Sequence, residues 1–258
     1  IGRHTVHDVH RYGVLSLADI IKFSSNIGAA KIGEKVGPEK LHRTLRMFGF
    51  GEKTGIDSPA ETAGVLMAAG KWKEIDTAAI SFGHGVSVSA IQLISSVAAI
   101  ANDGVLMRPR VVQAITDRQG QVLQQFDPEP IRQAVSRSTA RTLKEILRTV
   151  MLPGGTGTQA ALDGYTACGK TGTARKVDEN GQYANDRHVA SFIGFAPAEE
   201  PRIAVLVVID EPKGQIYGGA VAAPVFRKIT QSTLNYLNVP PRPTTEKLRV
   251  ARDDEGRG

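Results

Sequence analysis

Residues 164–173 read GYTACGKTGT, a stretch that is compatible with two different folds. Residues 164–171 fit the pattern G-x-x-x-x-G-K-[ST] of a phosphate-binding P-loop, and Asp210-Glu211 could then hold magnesium. A P-loop needs a buried strand directly before it and a helix directly after its lysine, because the phosphates bind at that helix N-terminus. Here residues 155–163 are rich in Gly and Thr, and residues 176–183 form a polar, turn-like run. A P-loop NTPase therefore remains an alternative that the flanking sequence does not favour.

The other interpretation makes the lysine part of a strand with an accessible edge. In Lys170-Thr171-Gly172-Thr173 the two threonines offer hydroxyl groups, the lysine offers a positive charge, and the glycine leaves room for another backbone. Such a strand can bind an extended peptide and its C-terminal carboxylate. A turn without function is the competing interpretation of the motif taken alone.

The order of predicted elements favours the strand. Helices come first, and three closely spaced strands closed by a helix come last, which indicates antiparallel pairing and an α+β fold. We predict helices at residues 15–23, 27–36, 39–47, 91–102, 138–150 and 220–237, and strands at residues 111–115, 122–126, 166–173, 188–195 and 202–209.

Composition excludes several classes of function. The net charge of +6 comes from 32 basic and 26 acidic residues that are interspersed, so no nucleic-acid-binding arm is predicted. The single cysteine, Cys168, excludes an internal disulfide and is expected to be buried and unreactive. No apolar run approaches the ~20 residues of a membrane span. His4, His7, Asp8 and His10 could bind a metal by their spacing, but a solvated terminal segment is the preferred interpretation, and we predict neither metal nor cofactor.

A second polar motif, Ser24-Ser25-Asn26, lies where two predicted helices meet. Taken alone, it is explained by helix capping. Together with the later K-T-G-T, it matches the second and third elements of the set S-x-x-K, S-x-N and K-T-G found in penicillin-recognising serine acyl transferases.

The resemblance extends beyond these motifs, nearly continuously from residue 12 to residue 240. The chain resembles class B penicillin-binding proteins, and the stretch from residue 152 to residue 174 resembles the septal FtsI type in particular. The matching stretches include YGVLSLADIIKFSSNIGAAK (12–31), FGFGEKTGI (48–56), ISFGHG (80–85), LPGGTG (152–157), GYTACGKTGTA (164–174), ASFIGFAP (190–197) and YGGAVAAPVF (217–226).

The resemblance implies a β-lactamase/transpeptidase-like fold, with an antiparallel sheet flanked by helices and a helical subdomain. Residues 1–239 would be a transpeptidase domain lacking its N-terminal portion, and residues 240–258 a flexible tail. The implied activity is peptidoglycan D,D-transpeptidation during cell division. The implied partners are D-Ala-D-Ala stem peptides, β-lactam antibiotics and divisome membrane proteins. The implied location is the periplasmic side of the inner membrane.

The same resemblance implies roles for individual residues. Ser24, Asn26 and Lys170 would be catalytic: the serine would relay protons, the asparagine would orient the catalytic lysine and the substrate amide, and Lys170 would attract the substrate carboxylate. Ser25, Thr171, Gly172 and Thr173 would bind substrate, and the Thr173 N–H would form half of an oxyanion hole.

One departure from the family pattern is large, because no Ser-x-x-Lys occurs anywhere in the 258 residues. We therefore expect the nucleophile and the membrane anchor to lie in upstream sequence, and this chain alone to be inactive. A catalytically inactive penicillin-sensing or divisome module remains a further alternative.

Overall fold

A computed structural model describes residues 1–2, 5–177 and 183–241. The chain forms two compact units, Ile1–Leu143 and Lys144–Gly258. In chain order the first unit contains α1 (Leu17–Phe23), α2 (Asn26–Val36), α3 (Pro38–Met47), a 3-10 turn (Ala69–Lys71), α4 (Glu74–Ser81), α5 (Ala90–Ala101), β1 (Val105–Met107), β2 (Ala114–Thr116), β3 (Val122–Gln125) and β4 (Pro130–Gln133), and α6 (Arg137–Thr149) continues into the second. The second unit contains a 3-10 turn (Thr158–Ala160), β5 (Cys168–Val177), β6 (Tyr183–Ala196), β7 (Ile203–Asp210), α7 (Gly218–Val221) and α8 (Ala223–Tyr236).

In the first unit, one close contact joins two helices and one buried polar side chain joins a helix to two loops. Gly33 of α2 lies so close to α4 that a Cβ there would be 1.8 Å from the Ser81 hydroxyl. Gln92 of α5 is 1% exposed, and its amide nitrogen donates to the carbonyls of Glu52 (2.6 Å) and Ala63 (2.8 Å). Since buried polar groups are costly unless hydrogen-bonded, this one side chain holds two loop segments against α5.

The second unit is built on a three-stranded antiparallel sheet in the order β5-β6-β7. Its core includes Phe192 of β6 and Phe226 of α8, whose ring centroids are 4.7 Å apart. Within the described part of the chain, β5 pairs with β6 alone and is therefore an edge strand. The predicted α+β class and the three C-terminal strands are confirmed.

One predicted strand of the first unit and one predicted helix of the second have different boundaries in the structure. The strand predicted at residues 111–115 begins only at Ala114, because the N–H groups of Val111 and Val112 both donate to the carboxylate of Asp57 (2.7 and 2.8 Å). The predicted helix over 220–237 is confirmed, although α7 and α8 are separate helices that meet at Ala222. The tail predicted for residues 240–258 falls mostly outside the described residues.

Candidate active site

The junction between α1 and α2 presents the Ser24-Ser25-Asn26 motif. Ser24 ends α1 with φ 58° and ψ 47°, a left-handed conformation that is unfavourable for a serine and often occurs at functional sites. Ser25 is the N-cap of α2 and is 3% exposed, and its hydroxyl accepts from the Gly28 N–H (2.9 Å). Asn26 begins α2. The junction thus brings the three predicted residues together in the first unit.

The segment before α1, at His7 and Asp8, holds this junction in place. The Asp8 carboxylate accepts from the Ser25 hydroxyl (2.7 Å) and from the Ile27 N–H (3.0 Å), and the Asn26 side-chain amide donates to the His7 carbonyl (3.0 Å). Because its NH₂ group is held by a carbonyl, the Asn26 amide has a defined orientation. The Ser25 hydrogen is engaged with Asp8, so any contact between Ser25 and substrate, which stays a prediction, would use an oxygen lone pair.

No local sequence pattern predicts this role of Asp8, since the residues it contacts are 17 and 19 positions away. The spacing of His4, His7, Asp8 and His10 is instead compatible with a metal site, although a solvated terminal segment is the preferred interpretation of that spacing. In the structure both Asp8 oxygens accept hydrogen bonds from the α1–α2 junction. His4 lies outside the described residues.

Replacing Asp8 by alanine is expected to lower the free energy of unfolding by about 1–3 kcal/mol, because both the Ile27 N–H and the buried Ser25 hydroxyl would lose their acceptor. Urea unfolding followed by far-UV circular dichroism measures the change. Asp127→Ala is a matched control, since Asp127 is exposed. Equal stability of the two variants would show that Asp8 does not hold the junction.

The Lys170–Thr173 motif lies on the edge strand of the second unit. Lys170 is half-buried, and its ammonium donates to the carbonyl (3.1 Å) and to the hydroxyl (3.3 Å) of Thr171. Burial lowers the pKa of Lys170 to about 8. The lysine is therefore held in a fixed position and is still mainly protonated at neutral pH.

The two threonines of this strand differ in exposure and in hydrogen bonding. Thr171 is half-buried and donates to the hydroxyl of Thr156 (3.1 Å). Thr173 is exposed and accepts from the N–H of Gly218 (3.2 Å), an arrangement that leaves its own hydroxyl hydrogen available to an anionic ligand. A Cβ on Gly172 would lie 2.4 Å from the Ser191 hydroxyl, so a side chain here would require that hydroxyl to rotate away.

The strand geometry argues against the P-loop alternative. After Lys170 and Thr171 the chain continues as β5 to Val177, and no helix begins there. A phosphate would therefore find no helix N-terminus behind the lysine. The P-loop interpretation is wrong for this reason.

Cys168 begins β5 and is fully buried, as predicted from the sequence. Its thiol lies 3.1 Å from the Lys144 carbonyl, and burial followed by the charge of Glu199 raises its pKa to about 12. Since the thiolate is the reactive form, we expect no reaction with Ellman's reagent at pH 8 in the native protein. One equivalent should react in 6 M guanidinium, roughly a fully unfolding concentration. Rapid native reaction would contradict this assignment.

Comparison with known proteins gives consistent results over most of the chain. The family described as penicillin binding protein transpeptidase domain matches residues 1–231. The chain is 40% identical over 242 residues to the probable peptidoglycan D,D-transpeptidase PenA of Neisseria gonorrhoeae, covering 93% of this chain and 40% of that protein. It is 36% identical over 242 residues to the peptidoglycan D,D-transpeptidase FtsI of Escherichia coli K12, covering 93% of this chain and 39% of that protein.

A solved structure gives the same result. Penicillin-binding protein 3 from Mycobacterium tuberculosis, complexed with aztreonam, superposes with a TM-score of 0.85 at 34% identity. The match covers 94% of this chain and 56% of that one. The chain thus spans about 40% of the length of the two curated relatives. Among the residues that the structure describes, no helix is long and apolar enough to cross a bilayer.

Proposed function

Because this chain belongs to the penicillin-binding protein transpeptidase domain family, we propose that it supplies two of the three active-site motifs of a peptidoglycan D,D-transpeptidase. The observation that carries the proposal is the edge strand β5, on which Lys170 is fixed and the Thr173 hydroxyl is exposed. An extended peptide that ends in D-Ala-D-Ala has the backbone and the carboxylate that such a strand would bind. Residues 1–239 would be a transpeptidase domain that lacks its N-terminal portion.

The reaction consists of two acyl transfers. A serine hydroxyl attacks the carbonyl between the two D-alanines, forms an ester and releases the terminal D-alanine. The amine of a second stem peptide then attacks the ester, forms the new amide and releases the serine. Lys170 would bind the terminal carboxylate together with the Thr173 hydroxyl, Thr171 would contribute by holding the Lys170 ammonium with its two oxygens, and Gly172 would keep the approach open.

The residues at the α1–α2 junction would move and orient protons. Ser24 would pass a proton towards the leaving amine. Asn26 donates to the His7 carbonyl, which leaves its side-chain oxygen to accept from the catalytic lysine or the substrate amide. The Thr173 N–H would stabilise the negative oxygen of each tetrahedral intermediate, and loss of one such donor typically costs about 3–4 kcal/mol.

The nucleophile is the missing third motif. No Ser-x-x-Lys occurs in the chain, so we propose that a longer polypeptide, referred to below as the parent protein, carries this chain together with that motif. The FtsI relative supports a role in septal cell-wall synthesis. On the same likeness we propose that the parent protein is membrane-anchored and periplasmic, contacts divisome proteins and is a target of β-lactams.

Fluorescent-penicillin labelling of the parent protein beside this chain tests the proposal. We expect a covalent adduct on a serine of the Ser-x-x-Lys segment in the parent and no adduct on the chain alone. A folded parent that is never labelled would instead support the penicillin-sensing or divisome module without catalytic activity. An adduct on the isolated chain would show that the nucleophile lies among these 258 residues.

A further inference from the structure

We propose that Thr156 is a positioning residue that holds the Lys170–Thr171 pair in its binding geometry. This inference rests on the proposed function and adds to it a residue from outside the motifs. Thr156 lies in the loop after α6, and its hydroxyl accepts from that of Thr171 at 3.1 Å. The Thr171 hydroxyl in turn accepts from the Lys170 ammonium at 3.3 Å.

Close backbone contacts that only glycine permits hold the loop that carries Thr156. A Cβ on Gly155 would lie 2.2 Å from the Val150 carbonyl oxygen, and the Gly157 N–H donates to that same oxygen (2.9 Å). A Cβ on Gly219 would lie 2.3 Å from the Thr156 carbonyl oxygen. These close backbone approaches hold the Thr156 backbone in place, and its hydroxyl lies within hydrogen-bonding distance of Thr171.

The direction of the hydrogen bonds explains why a fixed acceptor matters. A hydroxyl has one hydrogen and two lone pairs. While the Thr171 hydrogen points at Thr156, the Thr171 lone pairs face Lys170 and attract its ammonium. Without the Thr156 oxygen the Thr171 hydroxyl would lose the acceptor that fixes its rotamer and polarises it, so its hydrogen bond from the Lys170 ammonium would weaken and only the Thr171 carbonyl would hold that ammonium firmly.

The experiment uses the parent protein with Thr156→Val, which keeps the side-chain shape and removes the hydroxyl. We expect the second-order rate of fluorescent-penicillin acylation to fall about tenfold, as for the loss of one hydrogen bond in a charged network. Thr156→Ser, which keeps the hydroxyl, should restore a rate close to that of the unmodified protein. Thr158→Val is the matched control, because Thr158 is exposed in the same loop.

A second readout does not depend on acylation. In protein labelled with ¹³Cε-lysine, the Lys170 signal, assigned through Lys170→Arg, should shift in Thr156→Val and stay in place in Thr156→Ser. An unshifted signal in Thr156→Val would overturn the inference, and so would a serine variant that behaves like the valine variant. If the unmodified parent is folded but never labelled, the proposed function fails, and the lysine signal still decides whether Thr156 holds Lys170.

Discussion

Replacing Lys170 by methionine in the parent protein is expected to slow penicillin acylation by about 30-fold to several thousand-fold. Methionine keeps much of the side-chain volume and removes the charge. Loss of one member of a desolvated, hydrogen-bonded charge pair typically costs about 2–5 kcal/mol, and 1.4 kcal/mol corresponds to tenfold. Lys170 is held by both oxygens of Thr171, so its charge is pre-organised on the edge strand before any ligand binds.

Lys176→Met is the matched control for this substitution. Lys176 lies on the same strand, and its ammonium contacts the carboxylates of Asp210 (3.1 Å) and Glu211 (2.9 Å) at the protein surface. These ion pairs are partly exposed to solvent and lie outside the Lys170–Thr173 motif, and such surface pairs contribute little, so acylation should be within about twofold of the unmodified rate. Equal acylation rates for the Lys170 and Lys176 variants would show that Lys170 does not contribute to binding the penicillin.

The pKa of Lys170 adds a pH dependence with a defined sign. Burial lowers that pKa to about 8, whereas the pKa of lysine in model peptides, and so in the unfolded chain, is about 10.4. The ammonium is present below pH 8 and is lost as the pH rises through this value, so acylation by anionic penicillins should decline above pH 8. In Lys170→Arg the charge persists, and the decline should be absent from the pH–rate profile.

The same shift affects stability in the opposite direction. Between the folded and the unfolded pKa values the unfolded chain binds more protons than the folded one, so the contribution of Lys170 to stability increases with pH in this window. Keeping a half-buried ammonium at neutral pH therefore costs stability. Such a cost is typical of groups retained for binding or catalysis.

Local sequence patterns predicted the elements whose signal lies within a few residues. β7 is an uninterrupted apolar run, and the repeated apolar positions of α8 indicate a helix packed on a sheet. The helix α4 was missed although Asp76 accepts from the Lys73 N–H (2.8 Å), an N-terminal capping pattern that the sequence shows. The pairing of β1 with β4 was also missed, because both strands are short and their partners are distant in sequence.

The site depends on contacts that no local pattern encodes. Ser24, Asn26 and Lys170 were identified through a resemblance to a family, and their catalytic roles stay predictions. The groups that hold these motifs are separated from them by 17 residues for Asp8 and Ser25, and by 15 residues for Thr156 and Thr171. Tertiary packing sets such distances, and periodicity carries no information about them.

Gly218→Ala is expected to lower the free energy of unfolding by about 3 kcal/mol, at the upper end of the usual range for overpacking. A Cβ at this position would lie 2.1 Å from the Ser191 carbonyl oxygen and 2.5 Å from that of Gly172. Both oxygens belong to the backbone of paired strands, which cannot relieve the contact by a side-chain rotation. Thermal unfolding should show a decrease in Tm of about 6–12 °C for a protein of this size.

The matched control for this prediction is Gly70→Ala, because a Cβ on Gly70 would meet no atom within 4 Å. Its Tm should stay within about 2 °C of the unmodified value. An unchanged Tm for Gly218→Ala would show that α7 can move away from the sheet at no cost. In that case Gly218 would not determine the distance between α7 and the sheet.

The position of Gly218 also links its stability effect to the proposed chemistry. Its N–H donates to the Thr173 hydroxyl (3.2 Å), and a Cβ here would meet the carbonyl of Gly172, so an alanine that displaces α7 would move the donor that orients Thr173. We therefore expect penicillin acylation of the folded Gly218→Ala parent to fall even at temperatures well below its Tm. A variant that loses stability and keeps its acylation rate would show that Thr173 keeps its orientation without the Gly218 N–H.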